Sequence, residues 1–270
     1  MTGGEEDVLI GLLALLTGVV STHMLAAAGL FARIVAALFY LPGIGERAVP
    51  MRIRLGLALL LAWLLAPLLA GLADGLTLSP VTLILVLIAE AAAGLVIGLA
   101  FRFLIWALQI AGTIASQSIT ISHIFGNAIA GEAEPSLASL LAMAGIALAL
   151  LMGLHIDAVG AIAGLYGALP FGLGIAGGEA AEWSTARAGE AFALGLGLAV
   201  PFVLAGFAYN LTLGALSRAM PQLLVALVGV PLLVGLGLGT LWYALPELFA
   251  RWLSVAAAIA ADPLATGIGQ

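Results

Sequence analysis

The chain has 270 residues, 64% of them hydrophobic and 8% charged, against roughly 45–50% and about 25% in a soluble domain. Eight arginines, no lysine and 14 acidic residues give a formal net charge of −6. That composition excludes an ordinary soluble enzyme, a disordered chain and a binder of nucleic acid, which needs a basic surface for phosphates, and leaves an integral membrane protein; its long apolar runs make an all-α fold the expectation.

The start, Met1 to Asp7, carries Glu5, Glu6 and Asp7 and no basic residue. A cleavable signal needs a positive leading segment, so the expectation is an uncleaved, translocated N-terminus. A spanning helix takes roughly 20 mainly apolar residues, and about six hydrophobic helices are expected on that scale. The first lies within Val8 to Pro42, too long for one upright helix, and the second is Ile53 to Ala73. The third starts near Pro80 and passes Trp106 into a polar stretch. The fourth follows Pro135 to about Tyr166, the fifth is Ala191 to Leu216, and the sixth runs from Pro221 to about Leu248, with Phe249 to Ala261 as an extension. Breakers separate them: Pro42-Gly43, Asp74-Gly75, Glu134-Pro135, the glycines of 172–178 and Met220-Pro221. No short fixed repeat is present, so a solenoid is not expected.

Arginine placement sets an orientation. Arg47, Arg52 and Arg54 fall in the first loop and Arg218 in the fifth, whereas the fourth holds Glu179, Glu182 and Glu190 against Arg187. The positive-inside rule places the first and fifth loops in the cytoplasm and both termini outside.

Four charges, Arg33, Glu90, Arg102 and Asp157, sit inside apolar segments. A charge at the bilayer centre costs about 2.5–3.5 kcal/mol on insertion scales, so each needs a partner, water or a depth near the interface. Glu90 and Arg102 are twelve residues apart, about 18 Å along a helix, and cannot pair on one straight helix. Two readings stand: snorkelling arginines with a structural interhelical pair, or the lining of a polar lumen.

The stretch 109–127 reads QIAGTIASQSITISHIFGN. Within it Gln109, Thr113, Ser116, Thr120, His123 and Asn127 recur at spacings of four and three, which puts them on one helical face. Polar atoms without partners are costly in hydrocarbon, so the stripe is expected to face water or another polar helix. It then runs into small residues, Gly126 to Gly131, with Phe125 before them. A lumen-facing helix that ends in a constricting loop and a Ser/Thr helix packed on a neighbour both fit.

Gly94 and Gly98, Gly160 and Gly164, and Gly235 and Gly239 form three small-residue pairs at four-residue spacing, read as helix packing, and five tryptophans suit interface anchors. Cysteine is absent, which removes disulfides and thiolate metal sites. No zinc, nucleophile-elbow, P-loop or dinucleotide pattern is present. His155 and Asp157 are two apart and do not face each other on a helix. No enzyme activity, cofactor or metal is expected.

Three blocks resemble the flagellar biosynthetic protein FliR family and its injectisome counterparts in type III secretion. The first is Arg33 to Leu59, with Pro42-Gly-Ile-Gly-Glu-Arg-Ala-Val-Pro50 and Arg52-x-Arg54-x-Gly56. The second is Gly94 to Gln117, with Gly98-Leu-Ala-Phe-Arg-Phe. The third is Asn210-Leu-x-Leu-Gly-x-Leu-x-Arg218-x-x-Pro221-Gln222, then Val228-Gly-x-Pro231. The form looks flagellar. The resemblance implies a non-enzymatic core subunit of the flagellar export gate in the bacterial inner membrane, at the basal body. It implies a hetero-oligomer with FliP-like, FliQ-like and FlhB-like membrane proteins, through which unfolded flagellar subunits pass. It further implies a FliP-like part over 1–180 and a FliQ-like hairpin over 190–262, with much of the subunit displaced outward from the bilayer. The loop at about 119–134 is then the plug, with His123, Phe125, Gly126 and Asn127 in it; residues 126–135 depart from the family's pattern. A secondary transporter of a small solute also suits broken helices and buried charges, but usually carries an internal repeat, which is not evident here. A purely structural membrane scaffold is a third reading.

Overall fold

The computed structural model describes residues 3–69, 71, 79–120, 136–219 and 225–267, with side chains over 22–67, 71, 79–118, 137–215, 218, 232 and 235–267. Among the described residues there are seven α-helices and no strand: α1 (Gly3–Tyr40), α2 (Met51–Leu65), α3 (Pro80–Thr120), α4 (Ser136–Leu151), α5 (Leu154–Gly164), α6 (Gly177–Ala219) and α7 (Val225–Ala261). Four of them contain stretches long and apolar enough to cross a membrane: Thr22–Tyr40, Pro80–Ser118, Gly177–Ala215 and Gly235–Ala261. The broken pair Leu137–Leu151 and Leu154–Gly167 passes the same test together and counts as a fifth where it is taken as one span. This is an all-α membrane protein.

Local chemistry explains the boundaries and three departures from the sequence expectation. Ser79 caps α3: its Oγ accepts from the Thr82 amide at 3.1 Å, and Pro80 follows with φ preset for the first helical turn. The expected fourth helix is broken by a 68° bend, because Gly153 takes φ 82° and interrupts the ladder. The fifth starts at Gly177 rather than Ala191. Its Glu179 to Glu190 stretch is helical, since Glu and Ala favour helix and Glu179 in the first turn complements the dipole. Among its described residues the second segment gives 15 α-helical residues, followed by a 3-10 turn at Ala66–Leu69. At 1.5 Å per residue that α-helix reaches about 22 Å, short of the roughly 30 Å hydrocarbon core. The extension of the sixth segment is part of one helix, α7.

The chain divides into two compact units, with α3 contributing to both. The first comprises Met1–Arg102, His155–Ser184 and Ala260–Leu264. Here Leu30, Ile34, Ala37 and Leu38 of α1 and Ala93, Val96, Ile97, Ala100 and Phe101 of α3 are buried. The helices approach closely because Gly94 and Gly98 present no side chain: a Cβ on them would meet the Arg33 and Ala37 carbonyl oxygens. Phe171 closes a cluster with Leu25 and Val86.

The second unit comprises Phe103–Leu154, Thr185–Ile259 and Ala265–Gln270. Its centre is Trp252, wholly buried, whose Nε1–H donates to the Leu104 carbonyl at 2.9 Å. That bond settles the one polar atom of a large apolar ring. Leu108 lies against Gly145 of α4, and Gly195 and Gly206 of α6 lie against the α3 backbone at Ala107 and Ser118.

Candidate functional site

The charges within apolar segments resolve into distinct structures. Arg33 of α1 and Glu90 of α3 are both completely buried in the first unit, and their charges meet at 2.8 Å from Nε to Oε2. The directed hydrogen bond runs from Nη2 to Oε1 at 3.2 Å, and Nη2 also donates to the Leu169 carbonyl at 3.0 Å. Tyr166 adds two contacts: its ring lies 3.6 Å from the guanidinium carbon, and its hydroxyl donates to Glu90 Oε2 at 2.9 Å. The Gly172 amide donates to Oε1 at 2.9 Å. Both carboxylate oxygens are thereby occupied, and α1, α3 and the 166–172 segment are tied at one point. A buried pair repays its desolvation only when its remaining donors and acceptors are satisfied; the carboxylate meets that condition, whereas Arg33 Nη1 has no hydrogen-bond partner among the described residues.

Arg102 pairs with Glu46, and Arg54 donates to the Glu46 backbone carbonyl. Glu46 therefore pins the 41–50 loop, while Arg47 and Arg52 stay exposed. Asp157, in contrast to the expectation of a buried charge, is exposed in the first turn of α5, where its charge complements the helix dipole. Arg218 is exposed in the last turn of α6, the favourable end for a cation. Among the described residues no cluster of potential metal ligands exists.

The polar face of α3 is half-buried at Gln109, Thr113 and Ser116. Thr113 donates to the Gln109 carbonyl, Ser116 to Gly112 and Ser118 to Ile114, each at 2.8 Å. The hydroxyls are thus satisfied by their own helix, which removes part of the need for a wet surface. The amides are different. Among the described residues no hydrogen bond engages the side chain of half-buried Gln109 or of exposed Gln117. Their donors and acceptors require water or another chain. The side chain of Thr120, and all of His123, Phe125, Gly126 and Asn127, lie outside the described residues.

The profile of the family described as bacterial export proteins, family 1, matches residues 24–258. The chain belongs to this family, that of FliR. It is 34% identical to the flagellar biosynthetic protein FliR of Caulobacter vibrioides, over 84% of this chain and 90% of that one. The Escherichia coli K12 relative of the same name is 26% identical over 79% and 82%, and that of Pectobacterium carotovorum 28% over 80% and 82%. As a FliR-family chain it is a multi-pass membrane component of the flagellar export apparatus.

Two partners in these FliR-family sites were not evident from the sequence, Tyr166 and Glu46. Tyr166 lies 76 residues from Glu90 and Glu46 lies 56 from Arg102, with no periodicity linking them. The usable signal was local: Tyr166 is an amphipathic ring at the end of an apolar run, and Glu46 is the lone acid of an arginine-rich loop.

Proposed function

We propose that this chain helps form and plug the channel of the flagellar protein-export gate, through which unfolded flagellar subunits leave the cell. It catalyses no reaction. It sits in the bacterial inner membrane at the flagellar basal body, with Arg47 of the 41–50 loop, Arg52 and Arg54 at the start of α2, and Arg218 on the cytoplasmic side. FliP-like, FliQ-like and FlhB-like chains complete the gate; residues 1–180 take the FliP-like part and 190–262 the FliQ-like hairpin.

One observation carries the reading: the length of α3 combined with its amide face. Its spanning stretch has 39 residues, about 58 Å at 1.5 Å each. Fitting that within roughly 30 Å of hydrocarbon needs a tilt near 60°, whereas spanning helices tilt by about 0–40°. The surplus needs a cover other than lipid, which companion chains supply. The half-buried Gln109 and exposed Gln117 need a polar environment, which an aqueous passage supplies. The 119–134 segment then plugs the passage, small residues closing tightly while Phe125 and nearby isoleucines exclude water.

Deleting Ile124 to Ala130 tests this. The gate assembles, and the membrane becomes leaky to small ions. A tight membrane with normal export contradicts the plug.

A further inference from the structure

A cavity of about 460 Å³ opens within the second unit. Its walls are mainly apolar, from Leu104 of α3, Leu194 of α6 and Val255 and Ile259 of α7. Three charged residues line it: Arg187, Glu190 and Arg251. Arg187 is 1% exposed and its Nη1 donates to Glu190 Oε2 at 3.0 Å. Glu190 Oε1 accepts from the Gly267 amide. The two charges balance each other. Arg251 remains. It is exposed, lies against Gly197 of α6, and forms no ion pair among the described residues. Glu247, one turn earlier on α7, is exposed and is not among the cavity's lining residues.

The position of the cavity along α6 matters as much as its charge. From Gly177 to Glu190 the helix carries Glu179, Glu182, Arg187 and Glu190; from Ala191 to Ala208 it holds no polar side chain. The cavity is lined by residues on both sides of this change, Ala186 to Glu190 and Ala191 to Leu194. A helix that turns from charged to uninterrupted apolar marks the level of lipid headgroups. A volume in the range of small-molecule sites, apolar walls and one uncompensated guanidinium at that level suit an amphiphilic anion.

We propose that this cavity binds one anionic glycerophospholipid, its phosphate diester on Arg251 and an acyl chain along Leu194, Val255 and Ile259. Free phosphate shares the headgroup chemistry but leaves the apolar walls unused. A helix of a companion chain would fill the walls and leave Arg251 without its anion.

The test uses protein extracted from membranes with the chains that accompany it, freed of lipid and titrated under native mass spectrometry. The probes are phosphatidylglycerol, phosphatidylcholine of the same acyl chains, and inorganic phosphate. Phosphatidylglycerol is retained at one per copy under activation that strips phosphatidylcholine. Arg251→Gln weakens it about tenfold, the scale of one charge-assisted hydrogen bond, and Arg251→Lys keeps part of the affinity. Ala193→Phe, which fills the cavity from an exposed position, abolishes retention with Arg251 in place. Equal retention of the two lipids, or full retention by Arg251→Gln, overturns the proposal. So does displacement of phosphatidylglycerol by millimolar phosphate, or a crosslink from Ala193→Cys to a companion chain in the lipid-free and the lipid-loaded complex alike.

Discussion

Arg33 is held by a carboxylate, a carbonyl and an aromatic face, and Glu90 by a guanidinium, a hydroxyl and an amide. Removing one member strands the other in a dry site, at about 3–5 kcal/mol. Arg33→Met and Glu90→Met should therefore each lose that much stability in SDS unfolding of the solubilised protein. The double variant should recover part of the loss: no buried charge remains, but the Leu169 carbonyl, the Tyr166 hydroxyl and the Gly172 amide lose their partners. Tyr166→Phe keeps the ring over the guanidinium and loses the bond to Glu90, and should cost about 1.5–3 kcal/mol in the same measurement. A charge swap of the pair restores less motility than the attractive pairing alone would suggest, since the Leu169 carbonyl and the Tyr166 ring both favour a cation on α1. That arrangement makes the pair a structural clamp across α1, α3 and the 166–172 segment, the first of the two readings its sequence left open.

At the scale of the element, three glycine pairs with the same spacing behave differently. A Cβ at Gly94 or Gly98 would strike α1 backbone, whereas Gly160, Gly164, Gly235 and Gly239 have nothing within 4 Å. Gly98→Leu should destabilise by about 3 kcal/mol or more and reduce accumulation in the membrane. Gly160→Ala and Gly235→Ala should be neutral or stabilising by up to about 1 kcal/mol, the gain in helix propensity. Melting curves of the three variants separate these outcomes. Spacing in the sequence reports which residues share a face, but not whether a neighbour occupies it, so the three pairs looked alike. The bend at Gly153 was hidden for a related reason: an apolar run gives no period with which to locate one residue's change of φ. By contrast, the third segment was expected to start near Pro80 and α3 does start there, because a proline's preset φ acts within one turn.

For the molecule as a whole, composition was enough to place it in a membrane, and the three motif blocks pointed to the export family. The polar face of α3 was legible as a period of three and four. Its hydrogen bonding was not, because a helix lets serine and threonine bond to carbonyls four residues back. The demand for water now rests on Gln109 and Gln117, and on an apolar helix about twice the thickness of the hydrocarbon core. The cysteine-free chain supplies a clean background for the decisive measurement. Single cysteines at Gln109, Thr113, Ser116 and Gln117 in the assembled gate are exposed to a membrane-impermeant thiol reagent, with the buried Ala111 and Ala115 as controls. Labelling of the four face positions at rates well above the two controls is the predicted result. Face positions as unreactive as Ala111 and Ala115 would contradict the channel.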